Sequence, residues 1–517
     1  MSDIAALVEA LLRPEIYPHR PEQVRLVQTQ MSFIFLTGDY AYKVKKPVNL
    51  GYLDYTTLEK RRFFCHQEVE LNRRLCPEVY IEVVPVTRNR GKFQLGGDGK
   101  VVEYAVKMKQ LPQERMMDRL LLADSVTEEM VSAVARGLAA FHDKAATSPE
   151  ISKYGEPEAI KVNTDENFNQ TEKYIGTTIS RPTYDFIKDY TNSFMERNRP
   201  LLQKRVSEGR IRDCHGDLHA AHVCFTDGIC IYDCIEFNDR FRYCDVASEI
   251  AFLAMDLDRF YRADLSRAFV SAYVEASGDN DALQLLDFYK CYRAYVRGKV
   301  ESFKLDDPFI TDKDIALEAA KSYFRLAHRY ARGKKLLLIV AGLVGTGKTT
   351  IAQALARSFG LGVISSDVVR KELAGIPPTE RRFEPISSGI YSEDFTTRTY
   401  RELFSRAEKL LKQSESVVLD ASFKKREHRL EAKRLAEKMA ADFAALECVL
   451  DEHTIKRRLE QRVREDSISD GRWEVYLAQK GEFEKINEFS FQEHIILDTA
   501  QPISNIVGMI AQRLWSE

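Results

Sequence analysis

The run Gly342-Leu343-Val344-Gly345-Thr346-Gly347-Lys348-Thr349 is where chemistry is easiest to read in this chain. Its glycines admit backbone conformations closed to other residues, so successive N–H groups can wrap an anion, and a lysine and a hydroxyl follow where a helix would begin. The spacing is G-x-x-x-x-G-K-[ST] at every fixed position, a cradle for nucleotide phosphates. Gly342, Gly345, Thr346 and Gly347 supply backbone, and Lys348 bridges the β- and γ-phosphates. Thr349 and Thr350 open the helix, Thr349 with its hydroxyl on Mg²⁺. ATP and Mg²⁺ are therefore the expected cofactors. An apolar strand over 336–341 precedes the run and a helical pattern over 349–359 follows it, which is the context the motif needs.

A second strand, 362–365, leads into Ser366-Asp367, so Asp367 falls at the carboxyl edge of a parallel sheet, where open α/β folds bind ligands. Arg370 follows three residues on. Val417-Val418-Leu419-Asp420 ends another strand in an acid, and Lys424, Lys425, Arg426 and Arg429 come next. Arg457, Arg458, Arg462 and Arg464 precede a polar segment, 465–471. These features resemble P-loop kinases that phosphorylate small hydroxyl compounds or polynucleotide 5′ ends, and the zeta-toxin group. The resemblance implies that Asp367 accepts the proton of the attacking hydroxyl, that Arg370 and Arg426 hold substrate, and that Asp420 carries Mg²⁺ through water. It also implies a lid whose arginines supply transition-state charge; Arg458 and Arg462, four apart on one helical face, are chosen for it. Two plainer readings stay open. Asp367 caps the next helix, or the 424–429 run is a solvated helix face.

The stretch Cys214-His215-Gly216-Asp217-Leu218-His219-Ala220-Ala221-His222-Val223 resembles the catalytic loop of the aminoglycoside and choline phosphotransferase family. The resemblance makes Asp217 the catalytic aspartate that accepts or orients a hydroxyl, and Asp233, after a strand over 229–232, a metal-binding aspartate. Glu236 adds a carboxylate, and Asp245 matches a structural aspartate that begins the next helix. His222 stands where the family has a metal-binding Asn. Imidazole binds the hard Mg²⁺ ion poorly, so an active kinase domain and a sensor-like pseudokinase both remain open. Upstream, Ala41-Tyr42-Lys43-Val44-Lys45 resembles the strand that carries the ATP lysine, with Glu68 as its ion-pair partner. Lys43 and Lys45 share a face by the two-residue period; Lys43 is preferred.

These residues need elements to hold them. Apolar alternation predicts strands over 24–29, 33–36 and 40–45, a helix over 57–75, and strands over 79–87, 92–95 and 102–107. Helices are expected over 130–142, 184–205 and 318–332, and from 334 onward strands alternate with helices. The expected fold class combines α+β and α/β: an N-terminal protein-kinase-like bilobal fold, with a β-rich lobe over 1–110 and a helical lobe over 111–333, then a P-loop parallel α/β domain over 334–517. Joined, the halves resemble bacterial two-domain proteins that fuse an aminoglycoside-phosphotransferase-like domain to a P-loop kinase domain.

Length agrees, since 517 residues exceed the ~250 at which a single core stops growing. A formal net charge of −2 excludes a chain-wide field that would draw the protein onto nucleic acid or an anionic membrane. A small-molecule hydroxyl is therefore the expected acceptor, with a 5′-hydroxyl nucleic-acid end needing only a local groove. Nine cysteines, an odd and scattered set without paired C-x-x-C knuckles, argue for reduced core cysteines over a disulfide framework or a zinc–thiolate site. With no apolar run near ~18 residues and no leader pattern, a cytoplasmic location is expected and a membrane partner is not. Three classes of function fit: a phosphotransferase with two nucleotide sites, a P-loop enzyme regulated by its N-terminal half, and a nucleotide-driven switch. Asp367 with Arg370 favours transfer, since a switch needs no hydroxyl-directed base.

Overall fold

Alternating apolar residues in the first hundred positions close into one antiparallel sheet, and near-continuous apolar runs after 334 close into one parallel sheet. The structure is a computed structural model that describes residues 2–307, 310–377, 380, 388–462 and 472–515. It divides into two compact units, Met1–Leu257 with Ala268–Ala327, and Asp258–Arg267 with His328–Glu517. Residues 258–267, expected with the helical lobe, cluster with the second unit. There Arg267 Nη1 donates to the Gly360 carbonyl (3.1 Å) and the Tyr330 hydroxyl to Asp258 Oδ2 (2.5 Å).

In the first unit the strands are β1 (Arg25–Gln28), β2 (Ser32–Leu36), β3 (Tyr40–Lys45), β4 (Tyr80–Asn89), β5 (Lys92–Leu95) and β6 (Lys100–Lys109), ordered β1-β2-β3-β6-β4-β5. Their hairpins set the register: Lys43 sits opposite Ile34 on one side and Val106 on the other. The helix Leu58–Asn72 begins where Thr57 Oγ1 accepts the Lys60 N–H (3.2 Å), and it buries Cys65 and Val69 against Tyr80 and Val106. That packing carries Glu68 beneath the sheet. Short pairs β7 (Ile211–Asp213) with β10 (Tyr243–Asp245), and β8 (Val223–Phe225) with β9 (Ile229–Ile231), frame the 214–222 loop.

Two expectations are corrected. The helix expected over 184–205 is two, Arg181–Arg197 and Arg199–Ser207. Pro200 has no N–H to return to the turn before it, so the chain breaks at Asn198. Cys76 and Cys230 form a disulfide across 154 residues, where reduced thiols were expected; seven other cysteines are free. The partner of Cys230 lies too far along the chain for spacing to reveal it.

The helical part is tied by charge as well as by packing. Arg205, fully buried, donates through Nε to Asp245 Oδ2 (2.9 Å) and through Nη2 to Asp279 Oδ2 (2.8 Å). Asp245 Oδ1 also accepts the Ala247 N–H (2.9 Å), capping the helix Val246–Arg259.

In the second unit β11 (Leu336–Ala341), β12 (Gly362–Ser365), β13 (Val417–Asp420), β14 (Asp442–Val449) and β15 (His494–Asp498) are all parallel, ordered β12-β13-β11-β14-β15. Every β11 residue is buried, because helices cover both faces. Asp420 lies beside Val340 on one side and Ser365 on the other, so three strand ends share one edge. Among the described residues, no helix is long and apolar enough to cross a membrane.

Gly298, inside the helix Ala282–Phe303, shows where packing overrides helix propensity. A Cβ there would stand 2.8 Å from the Phe324 ring of the helix Lys313–Arg332. Gly-to-Ala in a helix ordinarily stabilises by ~1 kcal/mol. Here Gly298→Ala is expected to destabilise by about 1–3 kcal/mol, because the aromatic ring must move. Urea denaturation reads the sign, and a gain in stability would contradict the close approach.

Candidate functional sites

In the second unit the phosphate cradle is built from backbone that only glycine adopts comfortably. Gly342, Gly345 and Gly347 have φ of 139°, 85° and 88°. A Cβ on Gly342 would lie 2.7 Å from the Cys448 carbonyl, and one on Gly345 2.9 Å from Ile455. Thr346 Oγ1 donates to the Leu343 carbonyl (2.8 Å), and the Thr499 hydroxyl donates to the Thr346 carbonyl (2.7 Å), fixing the curve of the loop. The helix Lys348–Phe359 starts directly after Gly347 and points its N–H groups into that curve. Lys348 Nζ folds back to the Leu343 carbonyl (2.9 Å), within the loop it would serve.

The Thr349 hydroxyl donates to Asp420 Oδ2 (2.7 Å), which brings together the two groups assigned to Mg²⁺. Burial raises the Asp420 carboxyl above its usual value, with Asp367 adding like charge and Lys348 and Thr349 opposing. Asp367 lies half-buried in the first turn of the helix Ser366–Leu373. These donors suit phosphate and a hard cation. The backbone of 342–348 with Lys348 would hold the phosphates, and Thr349 and Asp420 would hold Mg²⁺.

The basic residues divide. Arg458 lies against the cradle, its Nη2 donating to the Thr499 carbonyl (3.4 Å) and its Nη1 3.5 Å from where a Gly347 Cβ would stand. The side chain of Arg462, and the 465–471 segment expected as a lid, lie outside the described residues. Arg370 is buried, with Nη1 donating to the Ile390 carbonyl (2.6 Å) and to Thr396 Oγ1 (3.2 Å), so its guanidinium ties its helix to the 388–396 stretch. Arg426 is exposed at the start of the helix Arg426–Lys438, and its backbone N–H reaches Glu484. Lys424 pairs with Glu482, Lys425 with Glu484 (3.3 Å) and the buried Arg429 with Glu488, so acids answer much of this basic run. Tyr400 went unnoticed in the sequence because no motif surrounds it. It is buried, its hydroxyl accepts the Phe423 N–H (3.1 Å), and its ring stacks on His428 (3.7 Å).

The first unit holds a cavity of about 340 Å³ whose walls include Lys43, Asp217, Asp233 and Glu236. Lys43 Nζ stands 2.8 Å from Glu68 Oε1 and 2.7 Å from Asp233 Oδ1. Lys45 Nζ reaches Glu68 Oε2 (2.6 Å) and Glu236, and the Tyr55 hydroxyl donates to the same Glu236 oxygen (2.6 Å). Glu68 therefore bridges both lysines. Lys43 faces the cavity and Lys45 lies under the sheet, 1% exposed, which separates two residues that the strand period left equivalent. Burial alone would lower both lysines, yet the carboxylates around them raise both above the ordinary value.

Glu249, at 0% exposure, organises the 214–222 loop. It accepts the backbone N–H groups of His215 (2.8 Å) and Gly216 (2.7 Å), and His142 Nε2 stands 2.8 Å away. Gly216, at φ 88°, could not carry a Cβ without meeting the Phe241 carbonyl at 2.9 Å. His215 Nδ1 accepts the Asp217 N–H (3.3 Å), so Nε2 donates to the Tyr232 carbonyl (2.9 Å), tying the loop to the residue before Asp233. Burial would raise Asp217, but His219, His222 and Arg297 hold it well below the ordinary carboxylate value. Asp233 is likewise held low, against its burial, by Lys43 and His222. Burial, with His219 beside it, lowers His222 to about 4, so its ring is neutral near pH 7. Asp217, His222 and Asp233 thus lie near one another, whereas Glu249 had no motif to mark it.

A family model described as an AAA domain matches residues 337–486. A protein of Mycobacterium tuberculosis described as uncharacterized is 29% identical over 489 residues, covering 94% of each chain. A choline/ethanolamine kinase family protein from Mesorhizobium loti is similar in structure over 63% of this chain and 99% of its own, at 12% identity and a TM-score of 0.37. A sugar kinase from Janibacter is similar over 35% of this chain and 94% of its own, at 21% identity and a TM-score of 0.28.

The two lysines should differ in what their loss does. Lys45→Met leaves buried Glu68 and Glu236 short of a cation and is expected to cost about 3–5 kcal/mol. Lys43→Met keeps Lys45 on Glu68 and frees Asp233 toward the cavity, so its cost should be less than half as large. Chemical denaturation of both variants ranks them, and equal losses would refute the distinction.

Proposed function

We propose that this protein is an ATP-dependent phosphotransferase that moves the γ-phosphoryl group to the hydroxyl of a small molecule, with a nucleotide site in each unit. The reading rests on one observation above others: Lys348, Thr349, Asp420 and Asp367 gather at the shared edge of β11, β12 and β13. A phosphate cradle alone would serve a switch. A half-buried carboxylate at the neighbouring strand end adds a group that can take a hydroxyl proton.

In this reading the N–H groups of 342–348 and Lys348 bind and orient the phosphates, and Arg458 stands beside them to meet charge that grows on transfer. Thr349 and Asp420 would hold Mg²⁺, which when bound would supply positive charge against the phosphates. Asp367 takes the acceptor's proton as its oxygen bonds to the γ-phosphorus, while the bond to the β-phosphate oxygen breaks and ADP leaves. Arg370 and Arg426 are assigned to the acceptor side, Arg370 by shaping the wall through Ile390 and Thr396. In the first unit Lys43, supported by Glu68, serves the phosphates and Asp217 the hydroxyl. The relatives named for sugar and for choline or ethanolamine fit a small hydroxyl acceptor, and a 5′-hydroxyl nucleic-acid end is the other acceptor to test. A cytoplasmic location goes with this reading.

A second reading makes the first unit a nucleotide sensor for the P-loop unit. The observation that favours it is His222, whose nitrogens sit between Asp217 and Asp233 where an oxygen ligand would suit Mg²⁺. Asp217→Asn separates the two. If it removes one of two transfer activities in the whole protein, the first unit is an enzyme; if it leaves all transfer intact, the first unit is a sensor.

Lys348→Ala should lower P-loop transfer by about 10²–10³-fold with an unchanged melting temperature, since the lysine serves phosphate and not the core. Full turnover in that variant would sink the assignment. Asp367→Asn should lower kcat by about 10²–10⁴-fold and leave the KM for ATP in place. Both are read as ADP release by the full chain against a panel of sugars, amino alcohols, nucleosides and 5′-hydroxyl oligonucleotides, with the product identified by mass.

A further inference from the structure

Two helices of the first unit carry polar groups into its cavity that transfer to a plain hydroxyl leaves unused. Lys43 bonds Asp233 (2.7 Å), whereas the Arg297 charge acts on Asp217, so the two acids answer different walls. The strand wall, with Lys43, is the one assigned to the phosphates. A hydroxyl taken by Asp217 therefore belongs to a molecule that lies against the helices Pro157–Thr171 and Ala282–Phe303.

That helical wall is rich in cations and short of acids. Tyr292, Val296 and Val300 form the stripe of Ala282–Phe303 that faces the cavity, with Arg297 on one edge and Lys299 on the other. Glu166, across on Pro157–Thr171, is answered by Arg240. Arg293 donates to Ser248 Oγ (3.2 Å) and to the Gly216 carbonyl (3.1 Å). Lys299 Nζ donates to Asn167 Oδ1 (2.6 Å) and Gln170 Oε1 (2.9 Å), two neutral amides, and forms no ion pair among the described residues. Burial lowers the Lys299 amine to about 8, with Glu166 opposing and Arg240 adding to the fall. An amine that has lost water and gained only dipoles is stabilised by an arriving anion.

Two more groups are unspent. Asn163 Oδ1, an acceptor, and Arg297 Nε, a donor, are buried and have no hydrogen-bond partner among the described residues, although both side chains line the cavity. Buried polar atoms are paired in all but a few cases, so this pair points to polar atoms of a ligand. Asn163 stands one helical turn from Asn167, the residue that holds Lys299.

We propose that the acceptor of the first unit is a small polyhydroxylated anion, a hydroxy acid or a polyol phosphate, whose anionic group binds Lys299 while Asp217 takes its reacting hydroxyl. The inference rests on the phosphotransfer reading of this unit and narrows it. Asn163 Oδ1 accepts from a further hydroxyl, and Arg297 Nε donates to an oxygen near the reacting end. Asp217 takes the proton as the acceptor oxygen bonds to the γ-phosphorus, the bond to the β-phosphate oxygen breaks and ADP leaves. The anionic group keeps its charge throughout, so its hold on Lys299 is uniform and belongs in KM. A cationic acceptor would instead meet Arg293, Arg297 and Lys299 as like charges.

The test uses the full chain carrying Lys348→Ala, so that transfer reports the first unit. Acetic anhydride at limiting dose labels Lys299, and peptide mass reads the extent in the presence of glycerate, glycerol phosphate, glycerol or aminopropanediol at equal concentration. At least one of the two anions should slow the labelling by about threefold or more, which identifies carboxylate or phosphate, while glycerol and aminopropanediol should not. Mg-ADP alone should leave labelling unchanged; slowing by it would mean that Lys299 serves nucleotide phosphate and would overturn the proposal. Lys299→Met should raise the KM for the protecting anion by about tenfold or more with kcat unchanged, and Lys299→Arg should keep the preference. Slowing by all four compounds, slowing by neither anion, or an unchanged KM in Lys299→Met would each refute it. Protection by an anion without transfer to any compound would support the anion site and sink the phosphotransfer reading. Transfer with no preference for an anion would sink this inference alone.

Discussion

Glu249 is the charge on which the first unit's site hangs. An ionised carboxylate at 0% exposure is unfavourable by several kcal/mol unless donors surround it. Burial alone would raise this group, yet His142, His215 and the Gly216 N–H bring it down to about 2. The same contacts that keep Glu249 charged fix the backbone of His215 and Gly216, so stabilising the charge and shaping the loop are one act. Asp217 inherits its place from them, through its own N–H on His215. His215 passes the constraint to Tyr232, and hence to Asp233, which is held at φ 63° outside the usual range for a side-chain-bearing residue. Arg293 closes the arrangement from a third helix by donating to the Gly216 carbonyl (3.1 Å).

The parts legible in the sequence were those where chemistry and local backbone coincide. Gly342 to Thr349 read correctly as a strand-to-helix turn because its glycines answer a purely local demand, and β3 and β5 were placed to the residue by their alternation and turns. Asp367 and Asp420 could be put at strand ends because strand ends follow from apolar runs. What failed to show was settled across distance. Lys43 and Lys45 are equivalent by period, and only the helix Leu58–Asn72 beneath the sheet decides which one faces the cavity. Cys76 finds Cys230 across 154 residues. Glu249, His219 and Tyr400 sit in sequences that look like ordinary helix or loop. Arg370 was read from its spacing to Asp367, but a guanidinium reaches far, and this one ends on Ile390.

The two sites treat their acids in opposite ways, and the difference is informative. In the first unit the protein supplies its own cations: Lys43 and Lys45 lie within 3 Å of Glu68, so Glu68 and Asp233 are held low although buried. In the second, Asp420 is raised by burial and by Asp367, with Lys348 turned toward the Leu343 carbonyl and Thr349 as its hydrogen-bonding partner. An acid held low by fixed cations keeps its geometry at any neutral pH, and a newly arriving ion must share it with those cations. An acid raised by its surroundings gains most when a cation arrives, because that cation relieves both burial and like charge. Nucleotide with its metal should therefore reorganise the electrostatics of the P-loop site more than those of the first unit. There Lys43 already occupies one oxygen of Asp233, and an incoming ion finds only the other, facing an imidazole nitrogen instead of a second oxygen.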